Sequence, residues 1–215
     1  KILIHKKTNS LKKFDIVTNL GHVRPINRRF IDKLSNDVCI LTMCEDWEVR
    51  RTDIDIDYAI KKNKTIIATN ERHKSLNTFK YLPLLVAKLL LELDVEINLN
   101  KLILVSSDPF GRFIKNGLQN MGADVLQINA DCIDSFYKKI NFKNINGIIL
   151  AEHVMDNILI SENKGFNIKD LKRFSIPVIY ISGNIDFEAC KKNRICIHPK
   201  IKVPLKKMTV TTDYI

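Results

Sequence analysis

The sequence predicts an α/β protein with parallel sheets. Short, almost wholly apolar runs recur along the 215 residues, and segments with helical apolar spacing separate them. Uninterrupted apolar runs are typical of strands that are buried on both faces of a parallel sheet. Their alternation with helices is typical of repeated strand–helix–strand units. Polar residues collect where the runs end, which is the edge where open sheets of this class bind ligands.

The most regular unit spans residues 101–129. Residues 102–105 are an apolar run that predicts a buried strand, and the apolar residues between 110 and 121 are spaced by three and four positions, which predicts a helix. Gly122 ends the helix, and residues 125–128 begin a second strand. A strand, a turn, a helix and a strand in this order predict the first half of a Rossmann-like dinucleotide-binding unit.

The turn of this unit departs from the usual glycine spacing, G-x-G-x-x-G. The three glycine positions are occupied by Ser106, Asp108 and Gly111. A carboxylate at Asp108 would repel a pyrophosphate, while Gly111 keeps the close packing of helix on strand. Asn129 stands where an acidic residue would bind a ribose, and its amide could donate to a ribose or a 2′-phosphate oxygen. Two alternatives stay open: a divergent turn that still holds a nucleotide, and a domain that keeps the fold and binds none.

The same patterns predict the other elements in chain order. In the first array we expect strands at 1–4, 14–18, 38–43 and 65–69, and helices at 27–34, 54–63 and 76–93, the last bent by Pro83. In the second array we expect further strands at 147–150, 178–181 and 195–197, and helices at 133–140, 168–174 and 186–192. The predicted boundary is residue 98. Residues 1–97 are expected to form a flavodoxin-like substrate domain, and residues 98–215 a Rossmann-like nucleotide-binding domain, with a cleft between them.

Composition narrows the class of protein. The longest apolar stretch, residues 82–93, is interrupted by Lys88 and Glu92 and is too short to cross a bilayer. No signal peptide is visible, and the five cysteines form no C-x-x-C pair, so we expect a reduced, cytoplasmic protein without membrane contact. The five histidines have no metal-ligand spacing. The net charge of +11 comes from scattered lysine pairs in a chain rich in Lys, Asn and Ile, which argues against nucleic-acid binding.

Together the pieces resemble the D-isomer-specific 2-hydroxyacid dehydrogenases. RTDIDIDYAIKKNKTIIATNE (residues 51–71) resembles that family's pattern of D-N-I-D, helix, strand and N-T. INGIILAEHVMDNILI (145–160) stands where the family has A-D-V-V-S-L-H, and PVIYISGNIDFEA (177–189) where it has P-x-x-I-N-x-S-R-G-x-x-V-D-E. The resemblance covers residues 14–198. It implies a small-molecule substrate in the cleft, NAD or NADP as cofactor, and a homodimer, with the helix at 76–93 as the candidate interface.

The resemblance also implies a set of site residues. His198, in C-I-H-P, matches the family's acid–base histidine, and His153 is the alternative proton donor. Gly183 stands in place of the family's arginine, so Arg24 or Arg50 would substitute for it, and the orienting glutamate has no clear counterpart. The implied cofactor-binding residues are Ser106, Ser107, Asp108, Pro109, Phe110, Gly111, Arg112, Asn129, Glu152, Ser182 and Gly183. The implied substrate-side residues are Gly21, His22, Glu45, Trp47, Arg50, Asn70 and Glu71.

Two functions are compatible with these observations. The first is an NAD(P)-linked oxidoreductase acting on a small polar or carboxylate substrate. The second is a catalytically silent or repurposed relative that keeps the fold for ligand binding or assembly. The lost glycines and arginine favour the second function, and the polar residues at the strand ends favour a ligand of some kind. Trp47 has a structural alternative, in which it caps the core.

Overall fold

The computed structural model describes residues 11–19, 25–42, 49, 51–71, 73–76, 78–203 and 208–209. The chain divides into two compact units, Lys1–Asn77 and Thr78–Ile215. The sequence placed its boundary twenty residues later, at 98, because the long apolar helix was assigned to the first array. In the structure this helix packs against a helix and a strand of the second unit. The roles assigned to the two domains, and the cleft between them, stay predictions.

The first unit contains a parallel sheet in the order β1-β2-β3. Its elements are β1 (Ile16–Thr18), α1 (Arg28–Ile31), β2 (Cys39–Leu41), α2 (Ile56–Lys61) and β3 (Thr65–Ile67). Each strand has three residues, where the sequence predicted five or six. Apolar side chains from every part of this unit form one core that includes Ile26, Val38 and Ile40. The strand predicted at 1–4 lies outside the described residues.

The second unit is built on a five-stranded parallel sheet. Its strands are β4 (Lys101–Val105), β5 (Asp124–Ile128), β6 (Gly147–Ala151), β9 (Val178–Ser182) and β11 (Ile197–His198). They lie side by side in the order β11-β9-β6-β4-β5. In order of appearance this is 2-1-3-4-5, a doubly wound arrangement in which the chain changes winding direction between β4 and β6. Every residue of β6 and β9 is buried, as expected for a parallel sheet covered on both faces. The predicted α/β class is confirmed.

Helices cover the two faces of this sheet. They are α3 (Leu82–Leu91), α4 (Pro109–Asn120), α5 (Ile133–Tyr137), α6 (Ile168–Arg173) and α7 (Phe187–Lys192). The core on one face joins Ile103 and Val105 of β4 to Ile133 of α5 and Leu171 of α6. On the other side α3 packs against α4. Among the described residues, no helix is long and apolar enough to cross a membrane. The predicted homodimer stays a prediction.

Pro83 does not bend a helix. The segment begins with a 3-10 turn at Thr78–Tyr81, and Pro83 lies in the first turn of α3. A proline is favourable there because the first N–H groups of a helix have no partner inside the helix. A Cβ placed on Gly117 of α4 would lie 2.2 Å from the Cβ of Pro83, so this start of α3 also sets the close approach of the two helices.

A small second sheet was not predicted. It contains β7 (Ile158–Ser161), β8 (Phe166–Asn167) and β10 (Asn184–Ile185), in the parallel order β10-β7-β8. The sequence analysis left residues 151–167 as a loop after β6. The apolar residues Leu159, Ile160 and Phe166 of this segment are fully buried, and they belong to the main core. Tertiary burial, rather than a periodic pattern, explains these short strands.

Candidate functional site

The candidate site lies at the carboxyl ends of β4 and β6, where the winding direction changes. Open α/β sheets bind ligands at such a switch point. Val105 pairs with Leu150 in the last matched register of these two strands. The turn after β4 begins at Ser106, and the turn after β6 begins at Glu152. These two turns contain most of the site residues that the sequence predicted for the second unit.

Ser106 and Ser107 fix the turn after β4 to its neighbours. Ser106 is fully buried; its N–H donates to the carbonyl of Ile128 (3.1 Å), and its carbonyl accepts from Gln127 Nε2 (3.1 Å). The hydroxyl of Ser107 accepts from the N–H of Ala130 (3.1 Å). Gly111 lies against this turn, because an added Cβ would lie 2.4 Å from Gln127 Nε2 and 2.7 Å from Ser106 Cβ. The glycine that packs helix on strand is therefore required here for the predicted reason.

Asp108 is the N-cap of α4. Its Oδ1 accepts from the N–H of Phe110 (2.8 Å) and from the hydroxyl of Ser106 (3.1 Å). Its Oδ2 lies 2.8 Å from Nδ1 of His153, and the Asp108 side chain is fully buried. An N-cap carboxylate is stabilising at the positive end of the helix dipole. Asp108 therefore acts as the anion of this helix terminus.

Glu152 supplies a second buried carboxylate. Its Oε2 accepts from the N–H of Ser107 (2.8 Å), and its Oε1 accepts from the N–H groups of Val154 and Met155 (2.9 Å each). Its own carbonyl accepts from the hydroxyl of Ser182, which lies at the end of β9 (2.9 Å). Glu152 is 1% exposed, and three backbone donors compensate for the burial of its charge. It ties together the ends of β4, β6 and β9.

His153 completes the cluster. Its ring meets the ring of Phe110 edge to face, with centroids 4.7 Å apart. Its Nδ1 contacts Asp108, while its Nε2 is buried and has no hydrogen-bond partner among the described residues. A buried polar atom without a partner costs about 1–3 kcal/mol. Nothing in the sequence indicated the Asp108–His153 contact, since the two residues are 45 positions apart; the one available signal was that both follow strands predicted to end at the same edge.

The arrangement can be tested against the pyrophosphate of a dinucleotide, which the glycine-rich turn holds through backbone N–H groups. Here the N–H of Ser107 is bonded to Glu152, Pro109 has none, and the N–H of Phe110 is bonded to Asp108. The N–H of Gly111 is bonded to the carbonyl of Asp108 (3.3 Å). Among the described N–H groups of this turn, only that of Asp108 lacks a partner, and it adjoins that residue's own carboxylate. These residues do not fit a pyrophosphate at this turn.

The other residues predicted in the second unit lie around this cluster or away from it. Gly183 follows β9 with φ +136°, and its carbonyl accepts from the hydroxyl of Tyr180 (3.1 Å). Burial raises the pKa of Tyr180, so this phenol stays a donor. Arg112 is exposed on α4. His198 lies level with Ile179, three residues before the end of β9, and its Nε2 contacts Glu92 Oε2 (2.6 Å). The structure does not bring His198 together with His153.

Asn129 lines a hollow of about 390 Å³ beside the end of β5. The lining residues are Gln127, Ile128, Asn129, Cys132, Ser135, Phe136 and Lys139. Asp131 raises the pKa of Cys132 through a hydrogen bond and its charge, so this thiol stays protonated at neutral pH. The hollow has the size of a small-ligand site, with one amide and one ammonium group available. The sequence singled out Asn129 but not Lys139 or Phe136.

On the substrate side, only two predicted residues are described. Asn70 and Glu71 follow β3 in the first unit; Asn70 is exposed and Glu71 is half-buried. Gly21, His22, Arg24, Glu45, Trp47 and Arg50 lie outside the described residues. Within the described ranges, no three metal-ligating side chains converge on one point.

Solved structures share this fold. The chain matches a dipicolinate synthase from Bacillus halodurans with a TM-score of 0.56 at 10% identity, covering 92% of this chain and 73% of that one. It matches a phosphoglycerate oxidoreductase from Vibrio cholerae with a TM-score of 0.53 at 10% identity, covering 90% and 72%. An NAD⁺-bound 3-phosphoglycerate dehydrogenase from Entamoeba histolytica matches with a TM-score of 0.47 at 13% identity, covering 91% and 72%. In some other matches the chain spans as little as 55% of the known structure.

These neighbours confirm the resemblance to D-isomer 2-hydroxyacid dehydrogenases at the level of the fold. No protein-family model matches the chain, and no curated protein sequence matches it significantly.

Proposed function

We propose that this chain is a repurposed relative of the 2-hydroxyacid dehydrogenases, which binds a small polar ligand where β4 and β6 end and does not hold a dinucleotide at the turn 106–111. The observation that carries the proposal is the use of this turn's donors by Asp108 and Glu152. A pyrophosphate would have to displace two buried carboxylates from their hydrogen bonds and would be repelled by both.

The test is a titration of the whole protein with NADH and NADPH at physiological salt, followed by nicotinamide fluorescence and by the melting temperature. A ligand that binds only the folded state raises the melting temperature by mass action. We expect neither a fluorescence change that saturates nor a melting shift up to about millimolar cofactor, on the order of a thousand times the micromolar range in which stabilisation would reach about 4 kcal/mol. Micromolar binding of either cofactor contradicts the proposal.

The second candidate is an NAD(P)-linked oxidoreductase acting on a small polar or carboxylate substrate in a cleft between the two units. It is favoured by the hollow at the end of β5, where Asn129 and Lys139 could bind a ribose or a 2′-phosphate without the turn. In this function His153 or His198 would donate the proton, and Arg24 would hold the substrate.

The two candidates are separated by variants of the hollow. If a dinucleotide binds, the combined change Asn129→Ala and Lys139→Ala should weaken its binding at least tenfold. The matched control is Lys115→Ala, which removes a lysine from α4, outside the hollow. Equal losses in both variants would indicate a non-specific effect of charge.

A further inference from the structure

Asp108 and His153 form a buried carboxylate–imidazole pair. Both residues are at least nine-tenths buried, and the Oδ2–Nδ1 distance is 2.8 Å. An ionised aspartate can only accept hydrogen bonds, so the imidazole must donate through Nδ1. This contact determines the tautomer: the neutral ring carries its proton on Nδ1, and Nε2 keeps an available lone pair.

The groups around the pair leave Nε2 as the available acceptor. The second carboxylate, Glu152, is satisfied by three backbone N–H groups and does not compete for the imidazole. Ser106 donates its hydroxyl to Asp108, and α4 presents the apolar ring of Phe110. The next residue, Val154, is 45% exposed, so the imidazole lies one residue beneath the surface. Asp108 would cap α4 without any histidine, and the unpaired Nε2 is therefore not explained by the architecture of the turn.

We propose that His153 Nε2 is the proton acceptor for a small hydroxyl-bearing ligand bound where β4 and β6 end. In this step the O–H bond of the ligand breaks, the proton moves to Nε2, and the electron pair stays on the oxygen. The imidazolium that forms keeps its Nδ1–H bond to Asp108, whose negative charge stabilises it. The step reverses by return of the same proton. This inference rests on the proposed function, since it needs the switch point to be free of a dinucleotide.

The test is nitrogen NMR of the whole chain labelled with ¹⁵N in the histidine rings. The His153 signals are assigned as those lost in His153→Gln. At neutral pH we expect Nδ1 to carry the proton and Nε2 to be bare. Titration with glycerol and with glycolate, a neutral and an anionic hydroxyl compound, should shift the Nε2 resonance until it saturates. In Asp108→Asn we expect loss of the tautomer preference and at least tenfold weaker binding of the probes. The control His198→Gln should leave the His153 signals unchanged.

A neutral ring protonated on Nε2 would overturn the inference, and so would the absence of a saturating shift with both probes. Both observations are made on the unaltered protein, so they hold even if Asp108→Asn fails to fold. Micromolar NADH binding together with the expected His153 signals would contradict the proposed function and leave the proton acceptor standing. No dinucleotide binding, together with an Nε2 that does not respond, would do the reverse.

Discussion

Gly111 shows how one backbone position couples α4 to the sheet. It lies in the first turn of α4, and the space of its missing Cβ is filled by Gln127 Nε2 and by the side chain of Ser106. Both neighbours are tied into the turn by hydrogen bonds, so they cannot retreat without losing contacts. Glycine is required here by close approach rather than by a left-handed backbone conformation.

Replacing Gly111 with alanine should therefore destabilise the second unit by about 1–3 kcal/mol, the usual cost of overpacking. In an exposed helix the same change would stabilise by about 1 kcal/mol, so the sign of the effect is informative. Urea unfolding followed by circular dichroism measures it. The control Gln119→Ala, on the exposed surface of α4, should change the free energy of unfolding by less than about 0.5 kcal/mol.

At the scale of elements, two carboxylates connect α1 and α2 in the first unit. Asp55 is the N-cap of α2: it accepts from the N–H of Tyr58 (3.1 Å) and from Arg28 Nε (2.9 Å). Asp32, which follows α1, accepts from the hydroxyl of Tyr58 (2.8 Å) and pairs with Lys62 (3.1 Å). These contacts hold the pKa of both carboxyl groups below the ordinary value: the bond from Arg28 contributes most at Asp55, and that from Tyr58 most at Asp32.

A carboxylate with a lowered folded-state pKa stabilises the folded state above its unfolded pKa, near 4, and this contribution is lost as the pH falls through the folded value. We therefore expect hydrogen-exchange protection of the Tyr58 amide to decrease below about pH 4. The combined change Asp32→Asn and Asp55→Asn should flatten that dependence. Asp57→Asn, on the same helix and with a side chain 83% exposed, should leave it intact. An unchanged pH profile in the double variant would show that these contacts do not stabilise α2.

At the scale of the whole molecule, α3 marks the beginning of the second unit. The sequence assigned this helix to the first array, whereas its contacts in the structure are with α4 and β9. Leu85, Val86, Leu89 and Leu90 are each fully buried. Full burial of such a side chain contributes about 1.5–3 kcal/mol, so the four together are comparable to the total stability of a domain, about 5–15 kcal/mol.

Fragments of the chain test this assignment. We expect residues 78–215 expressed alone to unfold in one cooperative urea transition and to give dispersed amide resonances. Residues 98–215 lack α3, expose the apolar face of α4, and should be largely unfolded or aggregated. Equal stability of the two fragments would instead support the boundary at residue 98 and would place α3 with the first unit.

The sequence alone predicted most of the main sheets and none of the small one. The all-apolar runs that became β4, β6 and β9 bury both faces, and such runs carry a strong signal. The residues of β7, β8 and β10 form strands of two to four residues whose burial depends on the core above them. A pattern that short is ambiguous until its surroundings are known. Pro83 is similar, since a proline within an apolar run indicates either a bend or a helix start, and only the backbone before it decides which.

The sequence by itself determined the α/β class, the positions of the turns after β4 and β6, and the candidates Ser106, Asp108, Glu152, His153 and Ser182, because chemical type and strand ends are local properties. Only the tertiary structure decided what these residues do to one another. Asp108 was predicted to repel a pyrophosphate; folding makes it the cap of α4 and the partner of His153, while Glu152 takes the N–H of Ser107. The physical reason is that hydrogen-bond satisfaction is settled between residues 45 positions apart, and strand order alone brings them within hydrogen-bonding distance, 2.8 Å in both contacts.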